Sequence, residues 1–174
     1  MIYFVELAFE QPEREAAWNS WYSKHLDLLL SVPGVSTAQR FVAVTPCRAP
    51  YLAAYSVESP EIFESEPYKQ RGGRGSPGVW APLMTNWDRN LLDGLMQMPD
   101  VRSDQYLLVV DKASSELTNF SVTLRLLRYA GLDRTVESRG IAILSADEYA
   151  VASSLADESV RFYKTLTPQL RTAV

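Results

Sequence analysis

Cysteine and histidine are almost absent from this sequence. Among 174 residues there is one cysteine, Cys47, and one histidine, His25. A single cysteine excludes an internal disulfide framework and fits a reducing, cytoplasmic compartment. A zinc site would need carboxylates for most of its ligands, so we expect no metal. The nucleotide-binding pattern GxxxxGK is also missing, which excludes a nucleotide P-loop.

Long apolar runs and an excess of positive charge are missing too. No stretch of 18 apolar residues occurs, and no basic residue precedes the apolar residues at the start of the chain. We therefore expect neither a membrane-spanning helix nor a secretory signal. The formal net charge is −4, which argues against nucleic-acid binding because phosphate neutralisation needs a basic face.

The composition that remains is that of an ordinary globular protein. Hydrophobic residues make up 47% of the chain and charged residues 22%, enough to build a buried core. The length suits one domain or two small halves that share a core.

The first half of the chain predicts a strand, a helix, two more strands and a second helix. Strands are predicted at residues 2–9, 35–44, 51–57 and 89–98 from apolar and β-branched runs. The second helix begins near Pro60, and residues 71–78, which hold four glycines, predict an exposed loop. In the first helix, apolar and aromatic residues recur at spacings of three and four, so they share one face: Trp18, Trp21, Tyr22, His25, Leu28, Leu29 and Val32.

The second half predicts the same order again. Strands are predicted at residues 106–111, 136–144 and 149–155, helices at 115–130 and 158–166, and a strand remnant at 170–174. Gly34 and Gly131 are 97 residues apart and Tyr51 and Tyr149 are 98 apart, which suggests a repeat at nearly constant register. We expect two ferredoxin-like βαββα(β) units, residues 1–98 and 99–174, and an α+β fold.

A second sheet must cover the face of each predicted sheet that the helices leave open. The first strand is apolar on both faces, because Ile2 and Phe4 alternate with Tyr3 and Val5. A sheet packed between helices and another sheet requires this pattern. The two units, or two chains, would supply the partner sheet.

The helix and the strand after it carry a pattern that resembles the dimeric α+β barrel superfamily, in particular its EthD-like branch. The resemblance covers roughly the first 95 residues. It is carried by Trp18, Trp21, Tyr22, His25, Leu29, Leu30, Pro33, Gly34, Val35, Ala38, Gln39, Arg40 and Phe41.

This resemblance implies a barrel-like pair of sheets with a cavity between sheet and helices, and a homodimer. It also implies binding of a hydrophobic or aromatic small molecule, and proton transfer by a helix-borne histidine without a cofactor. His25 occupies that position.

His25 is the first candidate for a catalytic residue. Its unperturbed pKa lies near neutral pH, so it could accept and return a proton. Tyr22 and Tyr55 could assist it, and Trp21 could help to exclude water from the site. The alternative is a structural histidine at a helix–sheet contact.

Two charged residues lie within strands that are otherwise apolar. A buried Glu6 would need a partner; it could orient His25, bind Arg40 or form a purely structural ion pair. Alternatively, Glu6 points into solvent at a strand edge. Arg40 could stabilise a carboxylate or enolate oxygen of a ligand, or it could lie exposed at the sheet rim. Gln39 must point to the opposite face from Arg40.

The segment of residues 71–94 is the candidate cover of the pocket. Trp80 and Trp87 could cap a ring-shaped ligand, and Arg89 and Asn90 could contact its polar groups. Arg71 and Arg74, with the glycines around them, could cradle an anion. Alternatively, the tryptophans only hold an irregular loop against the core.

Two main hypotheses follow. The first is a cofactor-independent enzyme of the lyase (dehydratase), isomerase or cyclase type, acting on a hydrophobic or aromatic small molecule. The second is a non-catalytic module for small-molecule binding or dimerisation. Haem binding through His25 is a third alternative.

Overall fold

The computed structural model describes residues 1–73, 75–112 and 122–172. In this part of the chain the helices are α1 (Glu15–Leu30), α2 (Glu66–Arg71) and α3 (Ala146–Ala152), with 3-10 turns at Pro12–Arg14, Pro60–Glu64, Gly78–Leu83 and Ser153–Leu155. The strands are β1 (Ile2–Phe9), β2 (Val35–Ala43), β3 (Tyr51–Val57), β4 (Met84–Asp93), β5 (Tyr106–Val110), β6 (Arg125–Leu132), β7 (Ser138–Leu144), β8 (Val160–Thr165) and β9 (Leu170–Arg171).

Eight of these strands form a closed antiparallel barrel within the single chain. They pair in the order β3-β1-β4-β6-β7-β5-β8-β2, and β2 pairs back with β3. The short strand β9 pairs with β2 beside β8. Since helices cover the outside of the barrel, the predicted α+β barrel class is confirmed.

Each half of the chain contributes four neighbouring strands to this barrel. The first half supplies β2-β3-β1-β4 and the second supplies β6-β7-β5-β8, so both runs have the same order of strands. The pairings β4–β6 and β8–β2 join the two runs. The proposed boundary at residues 98/99 falls between β4 and β5, and the division into two units stays a prediction.

Strand β1 shows how alternate residues separate two cores. Tyr3, Val5 and Leu7 pack outward against α1, together with its buried residues. Ile2 and Phe4 point into the barrel, where they meet apolar residues of both halves. A third cluster, on β5, β7 and β8, packs on the outside beneath α3. Covering both faces explains why this strand has no polar side.

Helix α1 is the main cover of the first half. It begins after a proline-containing 3-10 turn, and the chain turns at Gly34, where φ is +89°, a value that favours glycine. Its buried face comprises Trp18, Tyr22, Leu26, Leu29 and Leu30. The predicted apolar face was wrong in including Leu28, which is 44% exposed.

Several element assignments in the second half were wrong. Residues 125–130, predicted as the end of a helix, belong to strand β6; residues 115–121 of that prediction lie outside the described part. Residues 149–155, predicted as a strand, lie mostly in α3, and residues 158–166, predicted as a helix, hold β8. In the first half, the strand predicted at 89–98 is β4, which begins at Met84.

The physical reasons are local. Ser145 and Glu148 form a reciprocal capping box that starts α3, a helix signal that outweighs the β-like run after it. Strand β8 is buried on both faces, so it lacks the alternation by which a half-exposed strand is recognised. The repeat was therefore aligned incorrectly: Gly34 lies in a turn but Gly131 within β6.

Within the described ranges, none of the helices is both long enough and apolar enough to cross a membrane.

Candidate functional site

His25 lies on α1 at the contact between the helix and the sheet. Its ring stacks on Trp21, with centroids 5.1 Å apart and planes 13° from parallel, and meets Tyr22 edge-on at 5.7 Å. Burial, assisted by the nearby charge of Arg40, lowers the pKa of His25 to about 4. The imidazole is therefore neutral at neutral pH, and no described residue forms a hydrogen bond with it.

Two buried tyrosines lie beneath the histidine. Tyr22 belongs to α1 and Tyr55 to β3, and both are almost wholly buried. Burial raises the pKa of Tyr22 and raises that of Tyr55 well above its usual value. Both hydroxyls remain protonated at neutral pH, so they can donate hydrogen bonds but cannot act as bases.

Arg40 carries a buried positive charge next to these rings. It is 2% exposed, and its guanidinium carbon lies 4.0 Å from the ring centre of Tyr22 and 4.8 Å from that of Trp18. Burial lowers the pKa of Arg40. No described carboxylate forms an ion pair with it, and its Nη2 is buried without a hydrogen-bond partner. The nearby carboxylate of Glu15 accepts a hydrogen bond from Tyr51 instead.

The open space at this site is small. The cavity between α1 and the sheet has a volume of about 20 Å³, enough for one water molecule. The predicted hollow is therefore filled by aromatic side chains in this conformation. Its outer wall comes from the connection between α2 and β4. The lining residues are Tyr3, Val5, Trp21, Tyr22, His25, Leu29, Tyr55, Gly73, Pro77, Met84 and Trp87.

The remaining predicted binding residues are only partly brought together. Trp21 and Trp87 line the cavity, and Trp80 lies next to it, 6.4 Å from Trp21 between ring centres. Arg89 is held by Asp133 at 3.5 Å, and its charge acts on Tyr3 at the cavity wall.

Asn90 lies apart from this pocket. It is on the opposite face of β4, where its amide nitrogen donates to Thr135 Oγ1 at 2.6 Å. Arg71 donates to the carbonyl oxygen of Ser31 at 2.9 Å. Arg74 lies outside the described residues.

A second polar site was missed by the sequence reasoning. Inside the barrel, the carboxylate of Glu6 accepts hydrogen bonds from Arg139 and Arg161, both at 2.6 Å. Asp111 pairs with the same two arginines. Burial alone would raise the pKa of Glu6, but the two arginines outweigh it and hold that pKa below its usual value.

Glu6 thus forms a buried ion pair, one of the predicted alternatives. The other three were wrong, because Glu6 is only 3% exposed and faces the barrel interior, whereas Arg40 and His25 lie on the outer face of the sheet. The available signal was an arginine inside each of two segments that contain apolar residues, 136–144 and 158–166, but the second segment was assigned to a helix.

Among the described residues, no group of three or more histidine, cysteine or acidic side chains is arranged to hold a metal ion.

Comparison with known proteins places the fold of this chain. No family profile matches the sequence, and no curated protein matches it. An anthrone oxidase-like protein has a similar structure, with a TM-score of 0.58, 10% identity, and coverage of 99% of this chain and 93% of its own. A candidate monooxygenase from Lactobacillus acidophilus aligns with a TM-score of 0.52 and 8% identity, covering 96% and 94% of the two chains.

What these proteins share with this chain is the fold. Both carry oxidase or monooxygenase names, and both superpose along nearly their whole length. Identities of 10% and 8% transfer no activity. The EthD-like branch and the homodimer stay predictions.

Proposed function

We propose that this protein is a cofactor-independent enzyme that binds a hydrophobic or aromatic small molecule between α1 and the sheet, and that His25 transfers the proton. The observation that supports this most strongly is the buried charge of Arg40, with which no described carboxylate forms an ion pair. A buried guanidinium with an unpaired Nη2 is costly, and here it acts on the only histidine in the chain. Such a charge is suited to stabilising an oxyanion of a substrate.

The low pKa of His25 is compatible with this role. At neutral pH the imidazole of His25 is neutral, so it can accept a proton without first losing one. Part of the lowering comes from the charge of Arg40. When a substrate carbonyl next to Arg40 becomes an enolate, its negative charge offsets that of the arginine, and the pKa of His25 rises. Proton acceptance is therefore favoured at the moment the substrate is deprotonated.

The lyase, isomerase and cyclase classes predicted from the sequence share this first proton transfer. The names of the similar structures favour oxidation instead. On an anthrone-type substrate, His25 would take a ring C–H proton, and the enolate carbon would form a bond to molecular oxygen, which is the oxidant. The peroxide anion that results takes the proton back from His25, and the hydroperoxide then loses water to leave a carbonyl group, so one dioxygen yields one carbonyl oxygen and one water.

Substrate binding requires a larger space than the present cavity of about 20 Å³. Gly73 and Pro77 form part of the outer wall and belong to a connection rather than to the barrel. We therefore expect this connection and the side-chain ring of Trp87 to move outward when a ligand enters, while the backbone of the barrel stays in place.

The test is oxygen consumption with anthrone as the substrate. His25→Ala should lower kcat by about 100-fold or more, which is the range for a general base, and should leave the melting temperature nearly unchanged. Lys24→Ala, an exposed neighbour on the same helix, is the matched control and should keep the full rate. A His25→Ala variant with unchanged turnover would contradict the proposal.

Arg40→Met separates the two roles. It removes the charge but keeps an unbranched side chain over Tyr22, so kcat should fall although the pKa of His25 rises toward its usual value. NMR titration of the imidazole and the rate assay give the two readouts. A rate that stays unchanged while the pKa rises would show that Arg40 has no part in the reaction.

The second candidate is a non-catalytic binding or homodimerisation module. The nearly filled cavity favours it, since a packed aromatic cluster stabilises a fold without binding anything. It predicts that His25→Ala lowers the melting temperature or changes the mass measured by light scattering. It also predicts that anthrone causes no oxygen uptake.

A further inference from the structure

One end of the barrel holds a cavity much larger than the one beside His25. Its volume is about 470 Å³, within the range of small-molecule sites. Its floor is formed by inward-facing residues of β1, β7 and β8, with Asp111 directly after β5. The described lining residues are Glu6, Arg48, Ala49, Asp88, Asp111, Lys112, Thr135, Val136, Glu137, Ser138, Arg139, Glu158, Ser159 and Arg161.

Every carboxylate oxygen in the floor of the cavity already accepts a hydrogen bond. Glu6 Oε2 and Oε1 accept from Arg139 Nη2 and Arg161 Nη1, each at 2.6 Å. Asp111 Oδ1 accepts from Arg139 Nε at 2.7 Å, and Oδ2 accepts from Arg139 Nη2 at 2.7 Å and from Arg161. Two negative and two positive charges therefore balance, and none of the four carboxylate oxygens is left without a donor.

The arginines of the floor still have hydrogen-bond donors to spare. Arg139 Nη1 and Arg161 Nε are buried, and neither has a partner in the described part of the chain. The guanidinium of Arg139 lies over the ring of Phe4 at 4.8 Å, which fixes its plane. Buried donors without acceptors are unfavourable. These two donors each need a hydrogen-bond acceptor, which a ligand in the cavity can supply.

The residues at the rim of the cavity indicate which kind of ligand would carry this acceptor. Ser138, Ser159 and Thr135 place hydroxyl groups around it, suited to a ligand that carries hydroxyls. The other charged side chains at the rim are paired, Arg48 with Asp88, Lys112 with Asp157 and Glu137 with Arg134. Glu158 is exposed at the same rim, and its negative charge disfavours a second anionic group on the ligand. A single carboxylate pointing to the floor, with hydroxyls at the rim, satisfies both conditions.

We propose that this end of the barrel binds a small hydroxylated monocarboxylate, whose carboxylate oxygens accept hydrogen bonds from Arg139 and Arg161. Charge-assisted bonds of this kind are among the stronger ones in proteins. The site lies on the inner face of β1, opposite the side on which α1 packs. It is therefore independent of the function proposed for His25.

The test uses D-gluconate as the probe and ¹⁵N-labelled arginine in the full chain. Gluconate should produce a saturable shift of the Arg161 Nε–H signal in ¹H–¹⁵N NMR spectra. Sodium chloride at the same ionic strength and the neutral analogue D-gluconamide should produce none. An equal shift with chloride would mean an adventitious ion only, and an equal shift with gluconamide would show that no carboxylate is recognised; either result overturns the proposal.

Two variants at the rim distinguish the effect of the rim charge from that of steric access to the cavity, and neither changes a residue of the floor. Glu158→Trp places a bulky ring across the cavity and should weaken gluconate binding about 10-fold or more, because a steric clash opposes the ligand. Glu158→Gln removes only the repelling charge and should bind gluconate at least as tightly as the original protein. Equal binding by both variants and the original protein, or no saturable shift in any of them, would refute the site.

Discussion

Replacing Glu6 by glutamine should destabilise the barrel more than most single substitutions can. The side chain is 3% exposed and holds both Arg139 and Arg161. Glutamine keeps the size of the side chain but removes the charge and leaves one oxygen in place of two. The floor of the barrel would then carry two guanidinium charges against the one carboxylate of Asp111.

The expected loss follows from what it costs to break a buried ion pair. Removing one partner typically costs about 3–5 kcal/mol, because the remaining charge stays buried without compensation. For a chain of this length, about 1 kcal/mol corresponds to a change of 2–4 °C in melting temperature. Glu6→Gln should therefore lower the melting temperature by roughly 6–20 °C. A loss of about 3–5 kcal/mol is a large part of the total free energy of unfolding, which is about 5–15 kcal/mol.

The same carboxylate predicts how this loss depends on pH. In the folded protein the pKa of Glu6 is lowered by the two arginines. Its contribution is therefore present above the pKa of the unfolded chain and is lost as the pH falls through the lower folded value. The difference in stability between the original protein and Glu6→Gln should be full at neutral pH and should shrink only under strongly acidic conditions.

Urea unfolding followed by tryptophan fluorescence measures both effects. Glu10→Gln, at an exposed position just after the same strand, is the matched control and should change stability by less than about 0.5 kcal/mol. The reasoning is refuted if Glu6→Gln costs less than about 1 kcal/mol at neutral pH, or if its cost grows as the solution is acidified.

Three further predictions concern single positions. NMR titration of His25 should give a midpoint near pH 4 rather than 6.5. The free energy of unfolding should therefore fall as the pH drops from 6.5 to about 4, because the unfolded chain binds the proton first. A midpoint near 6.5 would contradict the burial of His25. Gly34→Ala should lower the free energy of unfolding, measured in urea, by more than Gly73→Ala does. Both glycines have positive φ, but of the two only Gly34 would place an added Cβ against a neighbour, Ile62, at 2.6 Å. Ser145→Ala removes the cap of α3 and should cost about 0.5–2 kcal/mol, and an unchanged midpoint would refute that cap.

The first half could be predicted well from sequence because its signals are local and agree with one another. Strand β3 was predicted with its observed bounds, and the Pro33–Gly34 stop of α1 corresponds to a turn with positive φ. The placement of Arg40 and Gln39 on opposite faces follows from the two-residue period of a strand. Gln39 points inward and donates to the carbonyl oxygen of Val101, whereas Arg40 faces α1.

The second half was harder because β8 is buried on both faces and β6 has a helix-like spacing. In β8 the inward residues Arg161 and Tyr163 and the outward residues Val160 and Phe162 are all covered, so no alternation remains to identify a strand. In β6 the three-residue spacing of the apolar residues Leu127 and Ala130 is also typical of a helix. The size of the cavity beside His25 depends on how the surrounding rings pack, which no sequence pattern encodes.

The two seams that close the barrel, β4–β6 and β8–β2, have a consequence for protein quality control. At each seam, an edge strand of one half pairs with an edge strand of the other half. A nascent chain that stops after β4 therefore leaves the outer backbone groups of β2 and β4 unpaired. Such edges readily pair with other chains. We therefore expect residues 1–98 alone to aggregate or to recruit chaperones. The same fragment should become soluble when residues 99–172 are supplied in trans to fill the gap.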